Sequence, residues 1–250
     1  MKVNIFKRIF SPMQPLVGLT ILVLVWLHLN FRDSSLLYYY WLLNLLSNVS
    51  SDGYNILAMI GCLAPIMAVV YFSSNFLLTR INSSLYAVIR IGTIKSLLTY
   101  TFVPLLLNLL YYLCFEYIAV ISIDLIFGSM PIELSRFINV TLTSLVVRYI
   151  SILAVVMLCN LFTFISMTEY VCFIPMFVYA IGLYSNAFIG QCSFLNFMPW
   201  NGLIQEFSLS IPCDLSINYI SVLFSCFICI FCVLGIIYQI KHRDIIQEAL

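Results

Sequence analysis

The sequence predicts an all-α, polytopic membrane protein folded as a single transmembrane domain over residues 1–250. Three observations predict it. Of 250 residues, 63% are hydrophobic and 8% charged, with a mean hydropathy of +1.09, against roughly 45–50% apolar and 25% charged in a soluble domain. The apolar residues come in runs of about 20, the length a helix needs to cross a bilayer, and lipid offers the backbone no hydrogen-bond partners, so those runs must be helical. The cations are largely confined to the connections between the runs.

Six spans follow, over 14–31, 54–78, 97–122, 140–167, 170–190 and 218–240. With the N-terminus in the cytoplasm, the inner connections hold Lys2, Lys7, Arg8, Arg80, Arg90, Lys95, Lys241 and Arg243. The outer ones hold Arg32 and Arg136. That imbalance is the positive-inside pattern, and it places both termini inside. Ahead of the first span, residues 1–12 read MKVNIFKRIFSP: apolar Ile5, Phe6, Ile9 and Phe10 against Lys2, Lys7 and Arg8. This suits a short elbow helix lying in the inner interface. Pro12 and Pro15 then turn the chain into the bilayer. The LLYYYWLLNLL stretch at 36–46 gathers three Tyr and a Trp as an aromatic belt does, and is too short to cross.

The longest inner connection, TRINSSLYAVIRIGTIKS at 79–96, carries Arg80, Arg90 and Lys95 among apolar residues. On a helix, Leu85, Val88, Ile89 and Gly92 fall at i, i+3, i+4 and i+7 and make one apolar face, with the cations elsewhere. Such a helix either meets anionic lipid with its cations or docks a cytoplasmic partner. No basic tract of the nucleic-acid-binding kind is present.

The elbow, the six spans with both ends inside, and the inner helix carrying LYAVIRIGTIKSLL together resemble the small permease subunits of type-2 ABC exporters, in particular those of peptide export and peptide self-resistance in Gram-positive bacteria. The stretch from Arg90 to Lys95 is similar to the "Arg-x-Gly/Lys-Ser-x-Lys" pattern of those subunits, departing from it at Thr93 and Ile94. The resemblance implies a coupling helix, formed here by Arg80, Leu85, Tyr86, Ile89, Arg90, Gly92 and Lys95, seated in a dimeric cytoplasmic ABC ATPase subunit. It further implies a second permease, identical or homologous, and ATP with Mg bound on the ATPase. The 250 residues contain no G-x-x-x-x-G-K-[ST] phosphate loop, which fits hydrolysis in another chain.

The connection from 191 to 217 is too apolar for a free loop. A re-entrant helical pair broken between Pro199 and Gly202 accounts for it, with Phe197 and Trp200 among its apolar residues; an interfacial helix is the alternative. The resemblance makes such a pair an outer gate. Cys192 and Cys213 bracket it on the outer, oxidising side and are candidate partners in a disulfide.

Two ionisable residues fall inside spans, where each is costly. Glu116 and Arg148 lie roughly 9–12 Å below the outer ends of the third and fourth spans by helical rise. They suit an ion pair that is structural or that contacts substrate, with a snorkelling Arg as the alternative. The C-x-x-C-x-x-C run of Cys226, Cys229 and Cys232 lies mid-span, where thiolates are unfavourable, and reads as helix packing and not as a metal site. His28 and His242 have no companion ligands at metal spacing.

The function expected is therefore that of a transport subunit driven by a separate ATPase and exporting an amphipathic peptide or lipid-like substrate. The alternatives are the substrate-binding membrane subunit of a vitamin-type importer and a secondary transporter. A chain with two His and one mid-span carboxylate offers no catalytic set for an intramembrane hydrolase.

Overall fold

The computed structural model describes residues 17–23, 25, 66–73, 94–127, 134–189, 199, 203–205 and 215–242. The expected elbow at 1–12 and the aromatic stretch at 36–46 lie outside them. Four helices carry the architecture: α1 (Ile94–Phe127), α2 (Leu134–Ser166), α3 (Phe173–Ile189) and α4 (Tyr219–His242). Residues 17–23 and 66–73, within the first two expected spans, are helical as well.

Among the described residues, three helices are long and apolar enough to cross a membrane, through Thr101–Ile123 of α1, Thr141–Ser166 of α2 and Tyr219–Ile240 of α4. The chain is thus a helical membrane protein. α1 carries Pro104 in its interior. A proline there removes one backbone hydrogen bond, a loss that neighbouring helices make tolerable in a crossing helix. α4 starts on Asn218, whose side-chain oxygen accepts from the Ser221 N–H at 3.4 Å, while its carbonyl accepts from Val222 N–H at 3.1 Å. That is a helix N-cap, closing donors that lipid would leave bare. Tyr219 and Tyr238 stand exposed near the two ends of α4. Nineteen residues apart, they are about 28 Å apart along the axis, close to the thickness of the hydrocarbon layer.

The stretch expected as a fifth span is built differently. A 3-10 turn (Glu169–Cys172) precedes α3, which has 17 residues and Pro175 in its first turn, where a missing N–H costs nothing. Its apolar part, Tyr170–Gly182, falls short of the length of the three crossing helices. α2 reaches this turn through Met167, whose φ of 55° is left-handed. Around it the Ser166 hydroxyl donates to the Phe162 carbonyl at 2.8 Å and accepts from the Thr168 N–H at 3.3 Å.

The connection before α4 departs from the expected helical pair at six positions. Leu203–Gln205 (β1) and Leu215–Ile217 (β2) pair antiparallel, with Leu203 opposite Ile217 and Gln205 opposite Leu215. Physically, Gly202 ahead of β1 and Pro212 ahead of β2 interrupt helix, and the Leu-Ser-Ile of β2 alternates as a strand does. Phe197, Trp200, Gly202, Cys192 and Cys213 lie outside the described residues; Pro199 is buried in a 3-10 conformation.

α2 is the central helix. Within the crossing windows it is 61% buried, against 39% for α1 and 22% for α4. It packs on α1, α3, α4 and the 3-10 turn, most extensively on α4. The α4 face turned to α2 carries Ser221, Ser225 and Cys232, all fully buried. Such small side chains let backbones approach, which is how helices adhere where lipid removes the hydrophobic drive. A Cβ placed on Gly235 of α4 would meet Leu161 Cδ1 of α2 at 3.0 Å.

Candidate functional site

Glu116 and Arg148 come together. The Arg148 Nη2 donates to Glu116 Oε1 at 3.0 Å, and the two side chains are 4% and 0% exposed respectively. Glu116 lies seven residues from Ile123, and Arg148 seven from Thr141, in antiparallel neighbouring helices. Both are therefore about 10 Å from the same end of the bundle, which is why they pair. A lone ion in lipid would be costly, so each makes the other's burial tolerable.

Hydroxyls surround the pair. On α1, Tyr112, Glu116 and Tyr117 occupy the buried face. The Tyr112 hydroxyl shares a hydrogen bond of 2.8 Å with that of Thr20, drawing helix 17–23 onto α1. Tyr117 donates to Ser144 Oγ at 3.1 Å, and Ser144 donates to the Thr141 carbonyl at 3.0 Å. The phenols of Tyr117, Tyr179 and Tyr112 are the guanidinium's neighbours beyond the carboxylate, so α3 also reaches the site through Tyr179. Below it, Tyr149 of α2 donates to the Leu106 carbonyl of α1 at 3.3 Å. The site thus joins four stretches of chain at one depth. Chemically it offers one guanidinium, one carboxylate and several hydroxyls inside hydrocarbon.

A second polar contact stands toward the other end of α2. Asn160 Nδ2 donates to the Ser73 carbonyl at 2.9 Å and to the Val156 carbonyl at 2.8 Å. Beside it, Tyr71 stacks on Phe173 with ring centroids 5.5 Å apart. Helix 66–73 is therefore fastened to α2 and α3, six residues ahead of the cationic segment at 79–96 in the sequence.

Of that segment, Arg80, Leu85, Tyr86, Ile89, Arg90 and Gly92 lie outside the described residues. Lys95 occupies the first turn of α1, six residues ahead of the crossing portion. The C-x-x-C-x-x-C run lies on α4, with Cys232 buried and Cys226 and Cys229 partly so. Among the described residues, no three His, Cys, Asp or Glu side chains are placed to hold a metal ion.

The ion pair was legible in sequence because charges stand out in apolar runs. Thr20 and Ser144 give no such sign, because a hydroxyl in an apolar run does not show which helix it faces. Comparison with family models, with curated proteins and with solved structures finds no match.

Proposed function

We propose that this chain is the membrane-spanning permease subunit of an ATP-driven ABC exporter, expelling an amphipathic or antimicrobial peptide or a lipid-like substrate across a bacterial cytoplasmic membrane. In this reading it spans six times, with both termini inside, and forms the pathway with a second permease. A cytoplasmic ABC ATPase binds ATP and Mg and supplies the work.

The observation that carries the reading is the continuity between the cationic segment and the bundle. Lys95 closes the charged segment and already lies on α1, about 9 Å of helix from Thr101, so a push on 79–96 acts directly on a crossing helix that bears Glu116. At its other root the segment follows helix 66–73, which Asn160 and Phe173 fasten to α2 and α3. A docked partner would thus act on both sides of the ion pair.

The test is co-purification with the ATPase encoded nearest to this chain, before and after Arg90→Glu with Lys95→Glu. Loss of an ATPase that accompanies the unmutated chain, with the variant still inserted, is the expected result. If no ATPase accompanies either form, the segment serves the lipid surface and the reading fails.

A further inference from the structure

α2 holds the crossing helices α1 and α4 by different means. Toward α4 the contact is close packing of Ser221, Ser225, Cys232 and Gly235, where a Cβ on Gly235 would come within 3.0 Å of Leu161 Cδ1. Toward α1 the cross-helix rungs are polar: Tyr117 to Ser144, Arg148 to Glu116, and Tyr149 to the Leu106 carbonyl. The distinction matters in a membrane. Separating close-packed apolar surfaces leaves voids or admits lipid, whereas separated polar groups are re-satisfied by water or by a polar solute at little net cost. Asn108 extends the polar line along α1, one turn beyond Tyr112. It is 2% exposed, and among the described residues its side-chain oxygen has no hydrogen-bond partner. A buried carboxamide oxygen left this way normally marks a place where water or another donor enters.

We propose that the α1–α2 interface is a water-accessible seam, in which Glu116, Tyr117, Ser144 and Arg148 exchange their mutual contacts for those of water and of the polar groups of an amphipathic solute in passage, and Asn108 offers its buried oxygen to the same groups. The α2–α4 contact stays shut. The seam deepens the transport reading and rests on it, but it makes a claim about water that can be read whether or not an ATPase is identified.

The experiment is thiol labelling in membranes of the native host, with a charged maleimide supplied to both faces and the modified sites located by peptide mass spectrometry. Asn108→Cys and Ser144→Cys probe the seam from its two helices, so one decides if the other fails to insert. Ser225→Cys and the native Cys232 report on the α2–α4 contact, at equal burial. The seam thiols are expected to react at least about tenfold faster, since only a hydrated thiol forms the reactive thiolate. Combining Ser144→Cys with Glu116→Leu and Arg148→Met makes the interface apolar and is expected to abolish its labelling. Equal rates at all four sites, no labelling at either seam position, or labelling that persists in the apolar triple variant would each overturn the proposal. Because the chain is labelled in its own membrane, loss of the seam leaves the ATPase test unaffected.

Discussion

A single buried ion pair separates two kinds of substitution. Removing one partner leaves a bare charge in hydrocarbon, a loss on the order of 3–5 kcal/mol, while replacing both with apolar residues of similar volume is close to neutral. Arg148→Met or Glu116→Leu alone should therefore sharply lower the thermal midpoint in detergent, and the double variant should recover most of it. Should the double variant be as unstable as either single one, the surrounding hydroxyls of Tyr117 and Ser144 would be the larger contribution. Met167 offers a cleaner residue-scale effect. At φ 55° it holds a conformation that costs an L side chain roughly 1–2 kcal/mol, and it is half-exposed, so little packing is at stake. Met167→Gly should raise stability by up to about 1 kcal/mol, part of the gain being offset by the freer unfolded chain. A lowered midpoint would mean that the Met side chain contributes packing its exposure does not suggest.

At the scale of elements, hydropathy located the helices because a crossing segment has no choice of conformation, and α1, α2 and α4 bracket the expected spans within a few residues at most ends. It failed where apolar content no longer dictates helix. Leu203–Gln205 and Leu215–Ile217 are as apolar as their neighbours, yet they pair as strands once Gly and Pro punctuate the connection. The region before α3 likewise reads as one apolar run, although a 3-10 turn and Pro175 divide it. Helix contacts were less legible still, since in lipid they depend on small residues whose spacing is not distinctive. The Gly235 contact makes this testable. With Leu161 Cδ1 3.0 Å from the place of a Cβ, Gly235→Ala needs only that a flexible side-chain end shift, and should cost under about 1 kcal/mol. Gly235→Ile forces the helices apart and should cost about 1–3 kcal/mol, partly recovered by Leu161→Ala. Similar behaviour of both single variants would show that α4 is not seated on α2 by close approach.

For the whole molecule, the functional reading stands or falls on which side of the membrane the cationic segment lies. α1 crosses between Thr101 and Ile123, so whatever precedes it and whatever follows it are on opposite faces. The imbalance of Lys and Arg decides which face is which: Arg80, Arg90 and Lys95 precede α1, and no cation lies between Lys95 and Ile123 or in the 128–133 connection that follows. Each such cation near a span resists translocation, which is the ground on which the proposed function puts the segment inside. α2 then returns the chain, and Lys241 and Arg243 stand at or beyond the end of α4. A reporter that fluoresces only in the cytoplasm should therefore be bright when inserted near Asn82 or fused after Arg243. An exported phosphatase should be active only when inserted at 128–133. Replacing Arg80, Arg90 and Lys95 together by Gln should weaken this orientation and yield a mixed population, because the three residues are three of the eight cations that the orientation puts inside. If the phosphatase is active near Asn82 instead, the segment faces away from any ATPase, and the exporter reading is excluded without further biochemistry.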